Sequence, residues 1–270
     1  MIRDITLGQY YPADSVLHRM DPRTKLVGTL VFIISLFLFR SFPCYLLAAL
    51  FLAGVIRISK VPFRFMVKGL KAVMILLMIT VVFNLFLTPG REIFHIWKLT
   101  VTWEGVIQAV FMAIRLTFLI IGSSVLTLTT TPNNLTDGLE KGLGFLNRVH
   151  VPVHEVAMMM SIALRFIPIL LEETDKIMKA QQARGADFET GGLVQKAKNL
   201  VPLLVPLFIS AFRRANDLAM AMEARGYRGG EGRTKMKPLI YQTRDYMGYG
   251  ALLLYLLGIC LLGVFVKLPL

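Results

Sequence analysis

Apolar runs, three of them about 20 residues long, dominate the chain. Five stand out: Leu26–Phe39, Cys44–Ile56, Gly69–Thr88, Val106–Leu128 and Tyr246–Val266. About 20 helical residues rise roughly 30 Å, the thickness of a bilayer's hydrocarbon core. The first two runs are shorter, and Lys25 and Arg40 can extend the first by snorkelling. Arg40-Ser41-Phe42-Pro43 then turns the chain into a tight hairpin. Composition agrees with a membrane setting. The 270 residues are 55% hydrophobic and only 17% charged, where soluble domains carry about 25% charge. Such hydrophobicity also excludes disorder.

Element signals refine this. Asp21 can cap a helix whose first residue is Pro22. Pro89-Gly90 stops the third run, and the loop after it holds both tryptophans, Trp97 and Trp103, which suit an interfacial belt. Residues 1–25 carry Asp4, Asp14 and Asp21 and no apolar segment, so no cleavable signal peptide is expected. Cys44 and Cys260 sit in apolar runs without C-x-x-C spacing and read as ordinary buried cysteines.

The net charge of +13 is unevenly placed. Arg3, Arg19, Arg23 and Lys25 precede the first run, and Arg57, Lys60, Arg64, Lys68 and Lys71 follow the second. The opposing loops hold only Arg40, then Arg91 and Lys98. The positive-inside rule therefore puts the N-terminus in the cytoplasm. The expected fold is an all-α integral membrane protein with about five transmembrane helices. Residues 1–130 form an N-terminal segment and four spans, 131–245 a cytoplasmic set of amphipathic helices, and 246–270 a last span. Two further apolar runs, Val156–Leu171 and Val201–Phe212, lie in the middle region. They are interrupted by Arg165, Pro168, Pro202 and Pro206 and fit interfacial or buried helices better than spans.

The middle region also holds a repeat. Asp175–Gly185 reads DKIMKAQQARG and Asn216–Gly226 reads NDLAMAMEARG, offset by 41 residues. One Ala-Arg-Gly triplet is expected on the order of 0.1 times in this length. The bland reading is a helix stop: Arg answers the dipole and Gly closes the last turn. The functional reading adds a partner. Small Ala and Gly let a helix end enter a groove, and Arg offers a five-donor fork to carboxylates or carbonyls. Two ends doing one job should face one side of the membrane.

With these motifs the chain resembles the transmembrane T components of energy-coupling factor transporters, a family that includes cobalt, nickel and biotin importers. The likeness runs from Asp14-Ser15-Val16-Leu17-His18-Arg19-Met20-Asp21-Pro22-Arg23-Thr24-Lys25 through Leu128-Thr129-Thr130-Thr131-Pro132 and Ala163-Leu164-Arg165-Phe166-Ile167-Pro168 to the paired triplets. It implies that Ala183, Arg184 and Gly185, with Ala224, Arg225 and Gly226, dock two ABC-type ATPases on cytoplasmic coupling helices. It further implies a small membrane S component that binds a vitamin or transition-metal ion. This chain would then be a non-catalytic subunit in a bacterial or archaeal inner membrane, with no cofactor of its own and ATP bound by its partners. The absence of a G-x-x-x-x-G-K-[ST] stretch agrees.

Other readings are weaker. His150 and His154 are four apart, but Pro152 separates them and the H-E-x-x-H order is missing, so no metal site is expected. His18 reads as a polar packing contact. Arg115 lies inside a span and needs a partner, for which Asn84 is a candidate. A stand-alone secondary transporter would need intramembrane carboxylates, and the five runs contain no Asp or Glu. A membrane-embedded enzyme would rest on the two histidines alone. Basic loops with few interleaved aromatics argue against nucleic acid.

Overall fold

A computed structural model describes residues 10–39, 41–96, 99–188, 192–230, 236 and 238–265. Arg3, Arg40, Trp97, Lys98 and Val266, which entered the sequence reading, lie outside the described residues. The described elements are α1 (Pro22–Leu38), α2 (Phe42–Ser59), α3 (Phe63–Leu87), β1 (Glu92–Ile96), β2 (Leu99–Thr102), α4 (Trp103–Thr129), α5 (Pro132–Gly142), a 3-10 turn at Gly144–Val149, α6 (Val153–Ala183), α7 (Leu193–Ala224) and α8 (Thr243–Phe265). The architecture is helical, as expected, apart from one antiparallel hairpin between α3 and α4. The sequence pattern predicts a loop there, and the structure pairs it into two short strands. Trp103 opens α4 and is 58% exposed.

The chain forms two compact units. The first, Gly8–Gly138 with Leu239–Leu270, contains α1–α4 and α8. Asp21 caps α1 as the sequence implied, accepting from the Arg23 N–H at 2.9 Å with Pro22 next in line. Burial raises its carboxyl's pKa, but the hydrogen bonds from Arg23 outweigh that and leave it below the ordinary value. Asp245, in the first turn of α8, accepts from the Asp21 N–H at 2.7 Å and the Gln242 N–H at 2.8 Å. One buried carboxylate thus satisfies orphan donors at two helix starts. The core runs along four helices at helical spacing: Phe32 and Leu36, Tyr45, Ala48 and Leu52, Ile121, Val125 and Leu128, and Leu252, Tyr255 and Ile259. Phe51 stacks on Tyr255 at 4.3 Å, and Tyr255 shares a 2.7 Å hydrogen bond with Ser35. Arg115 is 9% exposed, and its Nε donates to the Tyr45 hydroxyl at 2.9 Å. Asn84 is not that partner; it bonds the Thr80 carbonyl on its own helix.

The second unit, Leu139–Pro238, contains α6 and α7. The two short apolar runs become helices of 31 and 32 residues. Strong helix formers such as Glu172, Lys179 and Met222 carry each helix past its apolar run. Pro168, Pro202 and Pro206 remain inside them.

By length and composition α2, α4, α6 and α8 can each cross a membrane, and α3 makes a fifth if its two segments, bent by 62° around residue 72, count as one span. Two helices depart from the expected set: α6 qualifies because its 31 residues run well past the 16-residue apolar run, and α1, expected as the first span, falls short at 17 residues.

Candidate functional site

The paired triplets terminate the two long helices of the second unit in the same way. Arg184 ends α6 with φ −89° and ψ 7°, and Arg225 ends α7 with φ −89° and ψ 10°. Gly185 and Gly226 follow at φ +88° and +69°. The Gly185 N–H donates to the Gln182 carbonyl at 2.9 Å and the Ala186 N–H to Gln181 at 3.0 Å. The Gly226 N–H donates to Glu223 at 2.8 Å and the Tyr227 N–H to Met222 at 3.0 Å. Both are Schellman caps, in which two orphan carbonyls are satisfied by the residues that reverse the chain. A Cβ on either glycine would meet nothing within 4 Å. Glycine is therefore needed for its left-handed backbone, not for close packing.

All six triplet residues are exposed. No hydrogen bond or ion pair engages the Arg184 or Arg225 side chain among the described residues. The guanidinium groups are presented outward on rigid, capped ends.

The helix pair sets their spacing. Glu173 of α6 pairs with Arg214 of α7 at 2.7 Å, and Gln181 bonds the Pro202 carbonyl at 3.2 Å. Moving forward along α6 thus moves backward along α7, so the helices run antiparallel. Arg184 lies near the level of Pro202, and 23 residues of α7 separate Pro202 from Arg225. The two ends are on the order of 30 Å apart. Between them α7 exposes Leu204, Val205, Phe208, Ile209 and Phe212 along one stripe.

The histidines sort differently. His154 bonds Glu140 at 2.9 Å through Nδ1, while His150 caps the 3-10 turn with φ 61°. No group of three or more His, Cys, Asp or Glu is placed to hold a metal ion among the described residues. His18 hydrogen-bonds Ser15 at 2.7 Å and the Tyr11 carbonyl at 3.0 Å, a polar packing role. That carbonyl can only accept, so Nε2 carries the proton. Loss of water lowers the imidazole's pKa. Sequence reasoning missed Asp245, whose only signal was its place three residues after the helix-capping Gln242.

These features define a multi-pass helical membrane subunit with two matched, outward-facing helix ends. The model of the family described as CbiQ, cobalt transport protein, matches residues 13–236. The chain is 58% identical over 250 residues to a Clostridium kluyveri protein named energy-coupling factor transporter transmembrane protein EcfT, covering 92% of each. It is 48% identical to the protein of that name from Bacillus subtilis, over 91% of this chain and 93% of that one. A third, from Acidaminococcus fermentans, is 48% identical over 99% of this chain and 97% of its own length. The chain belongs to this family, the transmembrane components of energy-coupling factor transporters.

Proposed function

We propose that this subunit couples ATP hydrolysis by two partner ATPases to the movement of a substrate-binding S component. Arg184 and Arg225 each enter a groove on one ATPase, with Ala183, Gly185, Ala224 and Gly226 keeping the ends slim enough to fit. The observation that carries this reading is the duplicate Schellman cap. Two ends of one shape, on the order of 30 Å apart on an antiparallel pair, suit a pair of similar subunits. When those subunits close on nucleotide, the helices must pivot or slide. The apolar stripe around Phe208 supplies a surface through which that motion reaches a hydrophobic S component.

In this reading residues 131–245 lie on the cytoplasmic face, the N-terminus is cytoplasmic, and the chain itself binds neither ATP nor substrate. The transported compound is a vitamin or a transition-metal ion held by the S component. The test replaces Arg184 and Arg225 by Ala, singly and together, and measures ATPase copurification and uptake. Loss of one buried charged contact costs about 2–5 kcal/mol, so each single change weakens assembly by roughly 25-fold or more at about 1.4 kcal/mol per decade. The double change abolishes uptake. Normal assembly and uptake in the double variant would remove the proposal.

A further inference from the structure

A cavity of about 320 Å³ lies between α1, α2, α4 and α8. Its ends differ in chemistry. Thr24, Lys25, Thr129 and Arg244 line one end, and Phe32, Phe51, Gly122 and Leu252 the other. In α1 the step from Thr24 to Phe32 is eight residues, roughly 12 Å. The steps on α4, from Thr129 to Gly122, and on α8, from Arg244 to Leu252, are of similar size, so three helices agree on one axis. The walls along it are apolar. A Cβ on Gly28 would meet nothing within 4 Å, which leaves the α1 wall open. Val16, Ile58 and Met247 at the rim are exposed, giving access from outside.

The polar end is under-satisfied. Lys25 is 8% exposed, and its ammonium donates to the Thr129 carbonyl at 3.0 Å. It has no carboxylate within ion-pair range among the described residues. Thr24 is 5% exposed, and its hydroxyl has no partner. The carboxylates of Asp21 and Asp245 are already engaged by Arg23 and by backbone N–H groups. A buried cation with no carboxylate in direct contact and an orphan hydroxyl are both costly.

We propose that this cavity binds an anionic amphiphile, its acyl chain along the apolar walls and its phosphate or carboxylate accepting hydrogen bonds from Lys25 and Thr24. An inner-leaflet anionic phospholipid and a free fatty acid share that chemistry. The site is independent of the ATPase-docking ends, so either proposal can fail without the other.

The test is native mass spectrometry of the full-length chain, delipidated in detergent and incubated with dioleoylphosphatidylglycerol, dioleoylphosphatidylcholine or oleate. The wild type retains one phosphatidylglycerol or oleate in preference to phosphatidylcholine, by roughly five-fold or more, the worth of one lysine against an anionic headgroup. Competition between the two anions then identifies the source. Gly28→Leu fills the cavity and loses both anions while keeping the lipid-free melting temperature. Lys25→Met keeps acyl-chain binding but loses the preference for an anion, and Thr24→Val reduces that preference with an unchanged fold. If Gly28→Leu does not fold, the other two variants decide. Equal retention of the two phospholipids by the wild type would overturn the proposal, as would an undiminished anion preference in Lys25→Met and Thr24→Val.

Discussion

The two units of the molecule both expose large apolar residues but differ in how many they bury. In the unit built from α1–α4 and α8, Phe32, Leu36, Tyr45, Ile121, Val125, Tyr255 and Ile259 form one continuous buried seam. In the α6–α7 unit only Val153, Ala157 and Leu203 are buried among the apolar residues described, while Phe208, Phe212 and Met159 stand exposed. The first unit is organised around that buried seam, while the second has no buried apolar cluster of comparable size among the described residues. Large exposed apolar stripes on an ordered helix mark interaction surfaces.

Paired truncations sharpen that contrast. Phe32→Ala, in the seam, is expected to destabilise the detergent-solubilised chain by about 3–5 kcal/mol, read as a lowered melting temperature. Phe208 is 62% exposed, and Phe208→Ala should leave the isolated chain's stability within about 0.5 kcal/mol. Its cost should appear in copurification of the hydrophobic partner. Equal destabilisation by both changes would erase the distinction between the units.

A smaller effect is expected at the helix ends. Gly185→Ala or Gly226→Ala forces an L residue into the left-handed region at a cost of roughly 1–2 kcal/mol. No steric clash adds to it, since the space around each position is open. Exchange of the Ala186 or Tyr227 amide should speed up by about ten-fold, the equivalent of 1.4 kcal/mol. Unchanged exchange would mean that the caps do not hold the ends rigid.

The smallest effect concerns pH and belongs to the first unit. Desolvation lowers the folded pKa of His18 below the ordinary 6.5. A group with a depressed imidazole pKa binds fewer protons folded than unfolded. Its contribution is complete above pH 6.5 and declines as the pH falls through 6.5 toward the folded value. The melting temperature should drop on acidification below pH 6.5, and His18→Gln should flatten that part of the profile.

Much of the first unit was legible in the sequence. Among the described residues each of the five apolar runs falls in a helix to within a residue at its end, and the Asp21–Pro22 start is a local signal that needs no tertiary context. The seam was not legible, because helices apolar all round carry no periodic stripe to show which face is inside. Arg115 announced that it needed a partner, but Tyr45 lies 70 residues away and nothing local points to it. The β1–β2 hairpin was missed because its strands are five and four residues long and flank a segment read as an interfacial loop. At the candidate site the triplets and their helix-ending role were visible as a repeat. The antiparallel crossing that separates Arg184 from Arg225 was not, since it depends on Glu173–Arg214 and Gln181–Pro202 pairings between helices.

The central claim is that both arginine-bearing ends face the cytoplasm. Single cysteines placed at Phe188 and Arg228, beside the two triplets, in a chain with Cys44 and Cys260 replaced, test it directly with a membrane-impermeant maleimide. Both positions should react in inside-out vesicles and neither in right-side-out ones. Reaction of one from each side would put α7 across the bilayer, separate the two ends, and contradict the account.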